Sequence, residues 1–163
     1  MKAAALMLAV LLGLGGCSLM PSRLEMGTPR DEVVRRLGQP TRVVPLANGT
    51  RLQYSGQPAG QWVHNVDLGP DGGVVKVEQV LDIDWMLRHL VLDVTTWDDA
   101  LRDMGRPALV EHVASFKGDV WTYRYLEISA PRQAHLHFDP QGVLRRLQFT
   151  DELRHEDISP SHP

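Results

Sequence analysis

Thr28-Pro29-Arg30-Asp31-Glu32-Val33-Val34-Arg35-Arg36-Leu37-Gly38-Gln39-Pro40 reads as one short helix with both of its ends written in. Thr28 suits the cap, where a hydroxyl takes an otherwise unpaired first-turn amide, and Pro29 suits the first helical position. Asp31 comes three residues after that cap, as in a capping box, and its charge favours the positive helix end. Gly38 offers the left-handed conformation that closes a helix, and Pro40 forbids continuation. The pattern returns as Thr95-Thr96-Trp97-Asp98-Asp99-Ala100-Leu101-Arg102-Asp103-Met104-Gly105-Arg106-Pro107. Aligned on the Gly-x-Pro ends, Val33, Val34 and Leu37 fall on Ala100, Leu101 and Met104, and Arg30 falls on Trp97. The second copy then has apolar residues at i, i+3, i+4 and i+7, the stripe of an amphipathic helix. All six aligned apolar positions are predicted to be buried.

The segment after each helix is β-rich. After the first, Arg42 to Leu46 suits a short edge strand, because Pro45 has no amide to give a ladder. Asn48-Gly49 signals a hairpin. In Arg51-Leu52-Gln53-Tyr54 the apolar residues face one way, and Trp62, His64, Val66 and Leu68 share a face opposed by Val63, Asn65 and Asp67. Pro70-Asp71-Gly72-Gly73 makes a turn, and Val74 to Leu81 returns as a strand. Ile83 to Leu90 predicts a short helix opening the second half, with Trp85 and His89 at i, i+4. Leu109 to Val113 and Val120 to Leu126 then read as strands, with Lys117-Gly118-Asp119 as a turn, Trp121, Tyr123 and Tyr125 on one face, and Pro131 as the break. Ala134 to Phe138 alternates, Asp139-Pro140-Gln141-Gly142 matches the turn at Leu68 to Gly72, and Val143 to Phe149 closes the meander.

The expected fold class is therefore α+β: two tandem repeats of about sixty residues, each with short helices packed on an antiparallel β-meander. The boundaries are 27–82 for the first repeat and 83–150 for the second. The polar stretch 151–163, ending Ser-Pro-Ser-His-Pro, reads as a disordered tail.

With 43% hydrophobic and 23% charged residues the composition is globular, and the net charge of −3 with no basic tract gives nucleic-acid binding little support. One cysteine, Cys17, excludes an internal disulfide and a cysteine-based metal cluster. Lys2 followed by the apolar run Ala3 to Leu14 has the form of a signal peptide over 1–16, too short to span a bilayer. It ends in Leu14-Gly15-Gly16-Cys17, which resembles the bacterial lipobox. That resemblance implies diacylglyceryl transfer to the Cys17 thiol, cleavage before it, and a lipidated tether over 17–26. Each buried lipid methylene contributes about 0.8 kcal/mol, so several acyl chains hold firmly to a membrane. Ser18, where an inner-membrane protein of this kind carries aspartate, points to the outer membrane, facing the periplasm.

After that lipobox, Gly27-Thr28-Pro29-Arg30-Asp31-Glu32-Val33-Val34-Arg35-Arg36-Leu37-Gly38-Gln39-Pro40-Thr41 resembles the SmpA/OmlA lipoproteins, the family of the outer-membrane assembly factor BamE. Met104-Gly105-Arg106-Pro107, Trp121-Thr122-Tyr123-Arg124-Tyr125 and Phe138-Asp139-Pro140-Gln141-Gly142-Val143 resemble that family's helix end, aromatic strand and hairpin. The resemblance implies two helices packed on a small antiparallel sheet. Periplasmic β-lactamase inhibitor proteins share a tandem version of that fold. The assembly factor carries one such unit, whereas this chain has two.

For chemistry, His135-x-His137 sets two imidazoles on one strand face, a partial zinc pattern without a third ligand in the same motif. His64, among Trp62 and Val66, reads as a core histidine. Asp98 and Asp99 read as first-turn helix acids, and no nucleophile elbow, phosphate loop or His-Glu-x-x-His motif occurs. Trp121, Tyr123 and Tyr125 suit either a recognition surface or core packing against the Trp97 helix. Arg124, Arg145 and Arg146 are outward candidates for an acidic or phosphate-bearing partner. No cofactor is implied. Three functions from different classes remain: a lipid-anchored interaction module whose partner belongs to the β-barrel assembly machinery, a periplasmic protein inhibitor of an enzyme, and a hydrolase or metal enzyme.

Overall fold

A computed structural model of the chain describes residues 21–153. The expected signal peptide over 1–16, the expected lipidation at Cys17 and tail residues 154–163 lie outside the described residues. The second part of the expected tether belongs to the fold: Pro21–Arg23 forms a single 3-10 turn, and Leu24 is buried against Val33 and Leu52.

Helix α1 spans Arg30–Leu37, but its N-cap is Pro29, in extended conformation (φ −65°, ψ 150°), with no side-chain cap. The Thr28 hydroxyl donates instead to the Glu25 carbonyl at 2.6 Å. The reason is register: the helix begins at Arg30, one residue later than a Thr28 cap requires, so the cap position falls on Pro29, whose ring carries no acceptor. The Arg30 amide donates to the Gly72 carbonyl at 3.1 Å and the Val74 amide to the Thr28 carbonyl at 3.0 Å, so the first helical amide already has a partner. After α1 come β1 (Arg42–Leu46), β2 (Gly49–Ser55), β3 (Val63–Leu68) and β4 (Val74–Gln79). Helix α2 (Ile83–His89) leads to α3 (Trp97–Met104), β5 (Leu109–Glu111), β6 (Asp119–Glu127), β7 (Ala130–Phe138) and β8 (Leu144–Asp151). Helix α3 carries a reciprocal capping box between Thr96 and Asp99. It also keeps the hairpin contact, Trp97 amide to Gly142 carbonyl at 2.9 Å.

The architecture is α+β, with two separate antiparallel sheets ordered β1-β2-β3-β4 and β5-β6-β7-β8. Details recur between them. Gly49 and Gly118 open β2 and precede β6 at φ +145° and +141°, where a Cβ would strike the carbonyls of Leu68 and Phe138. A β-bulge sits at Val75 in β4, opposite Asp67 and Leu68, and at Arg145 in β8, opposite His137 and Phe138. The Tyr54 hydroxyl donates to Gly38, just past α1, and the Tyr123 hydroxyl to Gly105, just past α3.

Each sheet buries one face under helices. Leu52, Tyr54, Val66, Leu68 and Val74 pack with Val33 of α1. Trp121, Tyr123, Tyr125, Ala134, Leu136, Phe138 and Leu144 pack with Trp85 and Met86 of α2 and with Ala100 and Met104 of α3. Val63, Val80 and Leu81 from the first unit join this second core, so the units share it. Among the six aligned helix positions, Val33, Ala100 and Met104 are buried, whereas Val34, Leu37 and Leu101 are half-buried at the helix flanks.

Several strand boundaries differ from expectation, among them the end of β4, which stops at Gln79 and not Leu81. Strand β5 stops at Glu111, and the following loop sets Phe116 edge-on to His137 (centroids 5.0 Å apart). Pro131 lies inside β7, opposite Leu126 and one residue beyond Arg132, where pairing with β8 ends, so no ladder bond misses its amide. The break falls at Ile128-Ser129 instead. Strand β8 runs through Asp151, and Glu152 is anchored, so the tail starts later than 151.

Candidate interaction surface

The aromatic strand is core. Trp121 is 8% exposed, and Tyr123 and Tyr125 are fully buried beneath α2 and α3. The period-2 alternation of β6 turns all three to the helix side, so they present no surface to a partner. Burial drives the Tyr123 phenol far above its ordinary pKa, and its hydroxyl donates to Gly105 at 2.8 Å.

The two arginines nominated with them are engaged within the fold. Arg124 donates Nε to Glu152 at 2.6 Å and Nη1 to the carbonyls of Pro58 and Ala59 at 2.7 and 2.8 Å. Its backbone amide and carbonyl pair with the Gln57 carboxamide at 3.2 and 2.8 Å. Arg124 therefore clamps the loop of the first unit to β6 of the second. Arg145, in the bulge of β8, bridges Asp139 and Asp93 at 2.6 Å each. The Asp139 carboxyl is held below its usual range by the Val143 amide and then by Arg145. Arg146 is exposed and makes no hydrogen bond or ion pair among the described residues.

The most organised polar cluster was not legible in the sequence. The Leu101 carbonyl accepts the Gly105 amide, the carbonyls after it in α3 have no partner within the helix, and the outer face of the first sheet supplies donors to this end. Arg42 donates to the Leu101 carbonyl at 2.7 Å, Gln53 to Arg102 and Asp103 at 3.4 and 3.3 Å, and Asn65 to Asp103 at 2.8 Å. Arg51 takes both oxygens of Asp67 at 2.7 and 2.9 Å and the Asp103 carboxylate at 2.7 Å. Burial pulls the Arg51 guanidinium down, and Asp67 and Asp103 more than restore its charge. Arg51, Gln53, Asn65 and Asp67 are all buried. As alternate residues on two strands they look solvent-facing, and nothing local marks the helix that covers them.

His135 places Nδ1 2.9 Å from the Thr122 hydroxyl and Nε2 2.8 Å from that of Thr150, so both ring nitrogens have neighbours. His137 is buried beside Phe116, and its Nδ1 has no partner among the described residues. Among those residues no group of three or more His, Cys, Asp or Glu is arranged to hold a metal ion. His64 tilts against Trp62 (centroids 5.5 Å apart) and is half-buried.

Uncovered apolar surface lies elsewhere. Ile128, at the tip of the β6–β7 hairpin, is fully exposed and holds φ +61°, a conformation disfavoured for a β-branched residue. Leu109 and Val110 on the edge strand β5 are half-exposed, as are Val91 and Leu92, with Leu87 and Val94 more so. A cleft of about 250 Å³ between the units is lined by Thr41, Arg42, Gln53, Ser55, Gln57, Pro58, Arg106 and Pro107.

No family model and no curated protein matches the chain. Among solved structures it is similar to the crystal structure of a DUF4309 family protein (YjgB) from Bacillus subtilis, with 14% sequence identity, 76% of this chain and 78% of that chain covered, and a TM-score of 0.33.

Proposed function

We propose that this chain is a lipid-anchored module on the periplasmic face of the outer membrane, which holds a protein partner in outer-membrane protein assembly or envelope integrity and is not an enzyme. The observation that carries this reading is Cys17. It is the chain's single cysteine, directly after Leu14-Gly15-Gly16 at the end of a short apolar run, where a lipobox requires it. The resemblance of residues 27–41 to the SmpA/OmlA lipoproteins supports the same address, and the two helices on an antiparallel sheet that it implies match the second unit, with α2 and α3, whereas the first unit has α1 alone. The matched glycines, bulges and tyrosine bonds support a tandem duplication of one such unit.

The side-chain inventory favours binding over catalysis. The best-ordered polar groups are engaged in caps, turns and the grip on α3, and several large apolar side chains, among them Ile128, Val94 and Leu87, stand exposed. Complementation of a deletion strain, scored by sensitivity to large hydrophobic antibiotics, tests this. The intact chain should restore the barrier, and so should a variant with both His135 and His137 changed to Ala. Loss of complementation by that double variant at normal protein level would favour a metal enzyme.

One observation favours a second reading, a periplasmic inhibitor of an enzyme. Ile128 is a fully exposed apolar residue in a strained conformation on the tip of a hairpin, a shape suited to entering a partner's cleft. Under that reading deletion leaves the barrier intact and raises a target enzyme's activity.

A further inference from the structure

We propose that the cleft between the two units binds an oxyanion, a carboxylate or phosphate group carried by a ligand. Its eight lining residues include two arginines and no aspartate or glutamate. Arg35, Arg36, Arg51, Arg102, Arg124, Arg132 and Arg145 all pair with carboxylates, whereas Arg42 and Arg106, like Arg23, Arg30, Arg88 and Arg146, have no carboxylate partner among the described residues, and these two line one cleft. Arg42 commits only Nη1, to the Leu101 carbonyl, and keeps Nε and Nη2 unengaged among the described residues. Arg106 follows Gly105 at the end of α3, is exposed, and makes no hydrogen bond or ion pair among the described residues. Ser55 adds a donor, since its Oγ accepts from the Gln57 amide at 3.1 Å and its hydroxyl proton remains to be given.

The rest of the lining holds these donors still. Gln53 forms a buried floor, with its amide nitrogen fixed on Asn65 and on the α3 carbonyls. Those carbonyls, the negative end of a helix dipole, are covered by Arg42, Gln53 and Asn65 and so do not repel an anion from the cleft. Pro58 and Pro107 give apolar walls without amides. A planar guanidinium fork matches a carboxylate or phosphate in two parallel hydrogen bonds. The volume, about 250 Å³, suits one such group and a little of what bears it, below the range of drug-sized sites. Because Arg42 and Arg106 come from different units, a bound anion also braces the units against each other. The cleft's chemistry does not depend on where the chain is anchored.

The test uses the full chain with Cys17→Ala, titrated separately with inorganic phosphate and with acetate at constant ionic strength in chloride. The arginine Nε–H resonances of Arg42 and Arg106 are followed by NMR. Saturable shifts of both, with either anion, are expected; phosphate alone or acetate alone identifies which oxyanion the site takes. Arg106→Gln, at an exposed position that leaves the fold intact, should weaken binding about tenfold or more, and Arg106→Lys by less. Two results would overturn the site: no saturable shift with either anion at tens of millimolar, or equal affinity in the Arg106→Gln variant.

Discussion

Arg51 on β2 grips Asp103, the penultimate residue of α3, at 2.7 Å while holding both oxygens of Asp67 on β3. One guanidinium thus ties the first sheet to the helix of the second unit. Removing it strands Asp67, a buried carboxylate, without its counter-charge. Arg51→Met should cost about 3–5 kcal/mol, whereas Asp103→Asn, which keeps an acceptor, should cost about 1 kcal/mol. Urea unfolding measures both. An unchanged midpoint for Arg51→Met would mean that the grip contributes nothing.

Gly38 and Gly105 close α1 and α3 at φ +81° and +72°, yet their surroundings differ. A Cβ on Gly38 meets nothing within 4 Å, while one on Gly105 lies 2.6 Å from Oε1 of Gln53. Gly38→Ala should cost about 1–3 kcal/mol, the conformational penalty alone, because φ +81° with ψ −171° is a region essentially reserved for glycine. Gly105→Ala should cost roughly twice that or more, because the buried Gln53 carboxamide has to leave its partners. Equal losses in thermal melts would mean that Gln53 is not packed against the end of α3.

These two sites mark the line between what the sequence reveals and what it hides. Signals that act over a few residues were legible. Gly38, Gly105 and the following prolines ended the helices, Asn48-Gly49 and Lys117-Gly118-Asp119 turned the chain, and Thr96 with Asp99 capped α3. The Thr28 cap failed because the helix starts one residue later than read, which puts Pro29, with no side-chain acceptor, at the cap. The polar face of Arg51, Gln53, Asn65 and Asp67 reads as solvated because a strand's own alternation cannot say whether a helix lies over it. The aromatic strand was ambiguous for the same reason, and α2 and α3 decide it in favour of the core.

Stability should fall on mild acidification. Burial lowers the pKa values of His64 and His135, and burial followed by the Arg146 charge lowers that of His137. A group whose folded pKa lies below its unfolded value of about 6.5 leaves the unfolded chain holding more protons. Its stabilisation is therefore complete above about pH 6.5 and is lost as pH falls toward the folded pKa. Asp99 and Asp139 are shifted below the usual carboxylate range and keep their contributions across this window. Melting temperatures measured from pH 7.5 to 5 should decline in the wild type and decline less with His135→Gln and His137→Gln together. A flat wild-type profile would contradict the buried placement of these rings.

Ile128 holds φ +61° with its side chain fully in solvent. Ile128→Gly relieves that conformation and loses no packing, so it should raise stability by roughly 1 kcal/mol. Chemical denaturation checks the sign. A destabilised variant would mean that the hairpin tip is unstrained.

The mass of the mature protein extracted from membranes in detergent tests the anchored-module reading most directly. The account predicts a chain that begins at Cys17 and carries a diacylglyceryl group on its sulfur, with release into the soluble periplasm when Cys17→Ala is introduced. A mass matching an unmodified thiol, or a chain cut at another position, would contradict it.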